Sequence, residues 1–311
     1  SRLHGAAARV SSSASPHYMV VIFGDNCYGQ TKQPDLQGKK VIHAAAGWYH
    51  TCFVLEDNTL KVWGDRRYKQ THEPDISAKT VVQADAGYFH TVLRFSDGTV
   101  KCFGDNGSGQ CTVPNLGGKK VVDVAAGSYH NVLLLEDGSV KLFGDNLHGQ
   151  LAAPPLAGKR VIRAAAGYGH TVLVLEDGTV RIFGENTESQ CDVPELDLKV
   201  ISAAAGWKHT LLVLEDGSVR AFGDNGCKQV KVPDLGGKKV LKAACGGYNS
   251  MLLMDDGTIQ MFGLQHMYGV PKIGGKRITE IATGLYHSIL FFNEKDEAEE
   301  KEREKEKEME K

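Results

Sequence analysis

Two glycine-bearing marks return seven times along the chain at a nearly fixed interval, and that interval constrains the fold more than any other feature. The glycine that follows an aromatic residue falls at Gly24, Gly64, Gly104, Gly144, Gly184, Gly223 and Gly263, in steps of 40, 40, 40, 40, 39 and 40 residues. The glycine of a G-x-x-H segment falls at Gly47, Gly87, Gly127, Gly167, Gly206, Gly246 and Gly284, with Asn249 in place of the histidine after Gly246. Between the marks of one unit lie short runs such as Val121–Ala126, Val132–Leu135 and Ser139–Phe143, rich in Val, Leu and Phe and divided by turn residues. Runs this short are strands, since a helix needs ten or more periodic residues. Asp-Gly pairs at Asp97-Gly98, Asp137-Gly138, Asp177-Gly178, Asp216-Gly217 and Asp256-Gly257 mark tight hairpins, with Asp57-Asn58 as the nearest substitute. Each unit is therefore an antiparallel sheet of three strands, with at most a fragment of a fourth.

Small sheets buried on both faces stack in a line or close into a propeller, and the ends of the repeat array decide which. The first unit offers only a third strand, Val20–Phe23, and the last offers only its first two, Ile278–Thr283 and Ser288–Phe292. Each incomplete set supplies what the other lacks. The fold class expected is all-β, a seven-bladed β-propeller over residues 18–292 closed by the N-terminal strand pairing into the last blade, which removes an unpaired edge. Alanine runs such as Ala44–Ala46 and Ala164–Ala166 suit the crowded axis.

Residues 1–17 stand outside the repeat, hold Arg2 and Arg9 with no acid, and read as a flexible segment or the remnant of an organellar transit sequence. Residues 293–311 are almost wholly charged and read as a solvated tail. No run of 18 or more apolar residues exists, so no membrane insertion is expected. A formal charge of −2 gives no reason to expect nucleic acid as a partner. Seven scattered cysteines without a C-x-x-C pair fit a reducing intracellular setting, the cytoplasm, or a mitochondrion or plastid if residues 1–17 are a transit remnant.

The joint spacing of G-x-x-H, D-G and F-G-D-N-x-x-G-Q resembles the repeats of the regulator of chromosome condensation family, over residues 18–292. The resemblance implies a seven-bladed propeller of a compact, short-repeat kind. It leaves function open, because members of that family include nucleotide exchange factors, ligase modules, photoreceptors, inhibitors and assembly subunits. The inserted wedge through which exchange factors of the family engage a GTPase has no counterpart here, so a small-GTPase partner is the lesser expectation.

His50, His90, His130, His170, His209 and His287 occur once per unit. A metal site needs several ligands converging on one ion, so these histidines are expected to hydrogen-bond between blades. No nucleophile stands beside a base at a recognisable spacing, and the glycines are turns between strands. An enzyme is not expected, nor any cofactor. Lysines before each first strand (Lys39, Lys119, Lys159, Lys238) and acids in the D-G hairpins should meet on one face and largely cancel. The opposite face gathers aromatic and basic candidates for a protein partner: Trp48, Tyr49, Arg66, Arg67, Tyr68, Phe89, Tyr129, Tyr168, Trp207 and Lys208, with Tyr248 and Tyr286 beside them. The function expected is a non-enzymatic protein-interaction platform, a scaffold or accessory subunit of a larger intracellular assembly. The alternative is a regulator of an enzyme, either a small-GTPase exchange factor or an inhibitor.

Overall fold

Middle strands such as His170–Leu175 (HTVLVL) and His209–Leu214 (HTLLVL) are buried at every position, and this explains why they lack the polar alternation of a one-faced strand. A strand of that kind needs a neighbour on both sides, and the computed structural model supplies one. It describes residues 18–264, 269–271, 273 and 276–293. Seven three-stranded antiparallel blades surround an axis, with inner, middle and outer strands in chain order. Blade 1 spans 41–64, blade 2 81–104, blade 3 121–144, blade 4 161–184, blade 5 200–223 and blade 6 240–263. Blade 7 takes inner strand Ile278–Thr283 and middle strand His287–Asn293 from the end of the repeat array, and outer strand Tyr18–Gly24 from its start.

The closing ladder is complete, running in register from Tyr18 opposite Asn293 to Gly24 opposite His287. The expected closure is thus observed. The segments 1–17 and 294–311 lie outside the described residues. Among the described residues no helix is long and apolar enough to cross a membrane.

The hydrophobic core is divided into seven clusters, one for each pair of adjacent blades. Leu173 and Leu175 of blade 4 pack on Val132 and Leu134 of blade 3. Ile289 and Phe291 of blade 7 pack on Val41, Phe53 and Leu55 of blade 1. Each fully buried leucine removes about 1.5–3 kcal/mol worth of apolar surface from water, so the blades hold one another and none has a core of its own.

Both glycine marks follow from close approach. At Gly64, where φ is +116°, a Cβ would stand 2.2 Å from the Tyr49 carbonyl oxygen. At Gly87 it would meet the His90 ring of its own blade and the Gly127 carbonyl of the next. On the face opposite the G-x-x-H turns, Lys39–Asp57, Lys79–Asp97, Lys119–Asp137, Lys159–Asp177 and Lys238–Asp256 form ion pairs at the D-G hairpins. The expected cancellation of charge there holds, and such exposed pairs add little stability.

The six histidines are polar rivets between blades. His50 Nε2 lies 2.9 Å from Thr91 Oγ1, and His90 Nε2 the same distance from Asn131 Oδ1. His130, His170 and His209 reach Thr171, Thr210 and Ser250, and His287 closes the circle on Thr51. The receiving hydroxyls of Thr51, Thr171, Thr210 and Ser250 give their protons to the carbonyls of Gln30, Gln150, Gln190 and Gln229. Their lone pairs therefore accept, and each of those histidines must carry its proton on Nε2. Blade 6 has Asn249 at this position, and its Oδ1 is buried without a partner. The rivet is missing there, between blades 6 and 7.

Burial holds these histidines well below the ordinary imidazole value, to about 3 for His50, His130 and His170 and about 4 for His90, His209 and His287. A depressed folded pKa means that the unfolded chain binds protons the folded chain refuses. The stability is whole above about pH 6.5 and is lost as pH falls towards about 4. Asp85, which burial pushes up to about 6, runs the other way. Between pH 6.5 and 4 the melting temperature should fall steeply, and His130→Gln should flatten that slope by about one proton in urea titrations at several pH values. Separately, a chain beginning at residue 25 should lose cooperative melting, because it leaves the apolar side of Ser288–Phe292 without its outer strand; an unchanged melting curve would contradict the closure.

Candidate functional site

The two variable positions of G-x-x-H point different ways, and the aromatic face is built from that difference. The first position supplies an inner ring around the axis: Trp48, Tyr88, Ser128, Tyr168, Trp207, Gly247 and Leu285. The second supplies an outer ring beside the D-N-x-x-G-Q loops: Tyr49, Phe89, Tyr129, Gly169, Lys208, Tyr248 and Tyr286, whose carbonyls accept from the loop amides, as Tyr49 does from Asp65.

Inner-ring side chains from separated blades meet over the axis. Trp48 of blade 1 lies with its ring centroid 5.8 Å from that of Trp207 in blade 5 and 6.1 Å from Tyr168 in blade 4. Trp207 and Tyr168 are 5.8 Å apart, and Tyr248 joins Trp207 at 4.9 Å. Below them an axial cavity of about 60 Å³ is walled by Ala46, Ala86, Ala126, Ala166 and Ala205, so the rings cap a narrow channel. Towards the other end of the inner strands a polar net fills the axis. Gln83 donates to Asp123 at 2.7 Å, Arg94 donates to Gln83, and Lys242 pairs with Glu280.

The loops are rigid by their own hydrogen bonds. In the loop 145–150, Gln150 donates to Asp145 at 2.8 Å and accepts from the His148 amide, while Asn146 accepts from the Leu151 amide. Of the six loops whose residues are all described, two break this rule. At 65–70, Arg67 takes the place of Gln70 on buried Asp65, with Nη2 at 2.6 Å and Nε at 2.8 Å, and Gln70 Nε2 is left without a partner. Burial pushes the Asp65 carboxyl up, but the hydrogen bonds and charge of Arg67 more than reverse this, and it lies below the usual carboxylate range. At 185–190, Glu185 replaces Asp and fills the space beside Gly169, where Lys208 Nζ pairs with it at 3.0 Å.

Of the residues singled out in the sequence, Trp48, Tyr49, Tyr129, Tyr168, Trp207 and Lys208 are half-buried on this face, and Arg66, Arg67 and Tyr68 are exposed on the 65–70 loop. Phe89 differs, at 4% exposure: Tyr68 stacks on it at 4.3 Å and Arg67 lies over its ring. It holds up its neighbours and is itself covered. Tyr88, Tyr28 and Leu147 were missed. Tyr88 occupies the same inner-ring position as Trp48 and packs edge-on against it, a relation visible once the two positions are separated. Leu147 is 88% exposed on its loop.

Burial, and then the surrounding phenols, push the Tyr49 hydroxyl up to about 12, and burial raises Tyr88, Tyr129, Tyr248 and Tyr286 as well. Every one of these phenols is therefore a protonated donor at neutral pH. Among the described residues no cluster of three His, Cys, Asp or Glu could hold a metal ion. The face offers flat apolar area with hydroxyl donors, which is the surface chemistry of protein recognition.

A sequence profile of the regulator of chromosome condensation repeat matches residues 41–70, 81–110, 121–150, 161–190 and 200–229. No curated protein matches the chain by overall sequence. Among solved structures, Prp20p from Saccharomyces cerevisiae superposes with a TM-score of 0.77 at 17% identity, covering 94% of this chain and 96% of its own. Human WBSCR16 gives 0.72 at 18% identity, covering 89% and 99%. At such identities the likeness concerns the fold.

The loop geometry makes a sharp expectation. Arg67→Ala should cost less than about 1 kcal/mol in chemical denaturation, because Gln70 can turn onto Asp65 as Gln110 already does onto Asp105. A loss of several kcal/mol would show that Gln70 cannot take over.

Proposed function

We propose that this chain, a member of the regulator of chromosome condensation repeat family, serves as a non-enzymatic platform that holds a protein partner on its aromatic face, as a scaffold or accessory subunit of an intracellular assembly. The observation that carries this reading is the cap of Trp48, Tyr168 and Trp207 over the axis. Aromatic side chains on turns of a rigid ring lose little freedom when covered, and they supply the large anchors on which protein contacts depend. The opposite face carries the ion-paired hairpins and exposed aliphatic residues such as Ile162, Ile201 and Leu241, but among the described residues no cluster of aromatic rings.

Replacing Trp48 and Trp207 together with Ala should weaken capture of the partner that co-purifies with the native chain by roughly thirtyfold or more. Lys119→Ala, on the ion-paired face, should leave capture unchanged. Equal capture by both variants would reject the aromatic face.

A second reading, regulation of an enzyme, is favoured by the shared architecture with Prp20p, a protein with binding properties to Gsp1p and histones. Acceleration of nucleotide release from a small GTPase by the intact chain would select that reading over a passive scaffold.

A further inference from the structure

Three cations on the aromatic face occupy positions where another residue would serve their loops better. Arg66 stands where the five other fully described loops have Asn26, Asn106, Asn146, Asn186 and Asn225. Each of those asparagines accepts from the amide five residues on, as Asn106 does from Cys111 at 2.8 Å and Asn26 from Thr31 at 3.0 Å. A guanidinium cannot accept, so the amide of Thr71 loses that partner. Lys69 at φ +61° and Lys228 at φ +68° stand where Gly29, Gly109 and Gly149 turn at φ +78° to +80°, a backbone region that costs any residue with a Cβ. Among the described loops, Ser189 at φ +60° is the one other side chain at that position. Local rules given up in this way mark selection for something other than stability.

The same cations fall in one arc of the rim. Loops 224–231, 25–32 and 65–72, which follow blades 5, 7 and 1, carry Lys228, Lys231, Lys32, Arg66 and Lys69, all exposed and without an ion pair among the described residues. Arg67 and Asp65 cancel. The other carboxylates of these loops, Asp25 and Asp224, are held by their own Gln30 and Gln229, so positive charge prevails. Loops 105–112, 145–152 and 185–192 hold no lysine or arginine, and the last exposes Glu188 and Asp192. From this we infer that the cationic arc docks an acid-rich segment of the protein partner, while the far loops repel it and so fix its orientation. A polypeptide suits the arc better than a nucleic acid. Tyr28 is flanked by Arg67 and Tyr49 at 4.9 and 4.8 Å, and Tyr68 lies on Phe89, so neither ring is a free platform for bases. Asp25 and Asp224 would also oppose a backbone charged at every nucleotide, whereas the carboxylates of a peptide need not be evenly spaced. The inference rests on the aromatic face being an interface, and names the chemistry of what it holds.

Arg66→Asn, Lys69→Gly and Lys228→Gly together give these loops the residues that neighbouring loops already use, at three exposed positions. The full-length triple variant should therefore melt at or above the wild-type temperature. Its affinity for a fluorescently labelled short poly-L-glutamate, read by anisotropy, should fall roughly tenfold, and added salt should weaken binding by the wild type. Absence of binding by the wild type, or equal binding by the variant, overturns the inference. A variant that melts lower than the wild type also overturns it, because the three side chains then serve the fold. Labelled polyuridine of equal charge that binds the wild type more tightly than polyglutamate assigns the arc to nucleic acid instead. Capture of the co-purifying partner that survives the triple variant but not the loss of Trp48 and Trp207 would sink the acidic segment and leave the platform reading standing.

Discussion

The contact on which everything else depends is the one between adjacent blades. No blade buries its middle strand by itself: the faces of HTVLVL and HTLLVL are covered only when the neighbours on either side are present. At the centre of each such contact, except the one between blades 6 and 7, a histidine ring reaches into the next blade and ends on a hydroxyl or amide, and Thr51, Asn131, Thr171, Thr210 and Ser250 are themselves anchored to loop carbonyls. The relay from His130 through Thr171 to the Gln150 carbonyl ties an inner turn, a neighbouring strand and an outer loop into one unit. Apolar packing supplies most of the stabilisation, and the directional bonds fix the angle at which blades meet.

That angle makes the aromatic face possible. Because the G-x-x-H turn is pinned by its histidine and by the close approach of its glycine to the next blade, the residue after the glycine is aimed at the axis. Trp48 and Trp207 come from blades separated by four repeats in one direction around the ring and three in the other, yet they touch. Chemistry that would be scattered over an open stack is concentrated at one point by closure. Gly247 leaves room for Leu285, whose Cδ1 would stand 2.0 Å from a Cβ there, so the inner ring depends on repeat irregularities as well as on the repeat.

Much of this was legible in the residues. The period, the three-strand unit, the closing strand and the role of the histidines each follow from a pattern that admits one physical solution: a polar side chain in a buried strand must find a partner, and an edge must be paired. The Lys–Asp belt was likewise readable, since antiparallel geometry alone brings Lys119 to Asp137. Less legible was the sorting of aromatic residues. Phe89 and Tyr68 are both aromatic and close in the chain, and nothing in their identities says that one covers the other. Tyr88 was overlooked because its importance lies in its position relative to Trp48. Arg67 reads as an exposed cation in the sequence, whereas the fold commits it to Asp65.

The sequence by itself determined the number of blades, their strand content and the way the ring closes, because these rest on local turn chemistry and on a count that either completes or does not. Only the tertiary structure decided which aromatic rings converge, that the channel is capped, and that Arg67 is committed to Asp65. Those are relations between residues far apart in the chain, set by the radius and curvature of the closed ring, and no spacing along the chain encodes a distance measured across it.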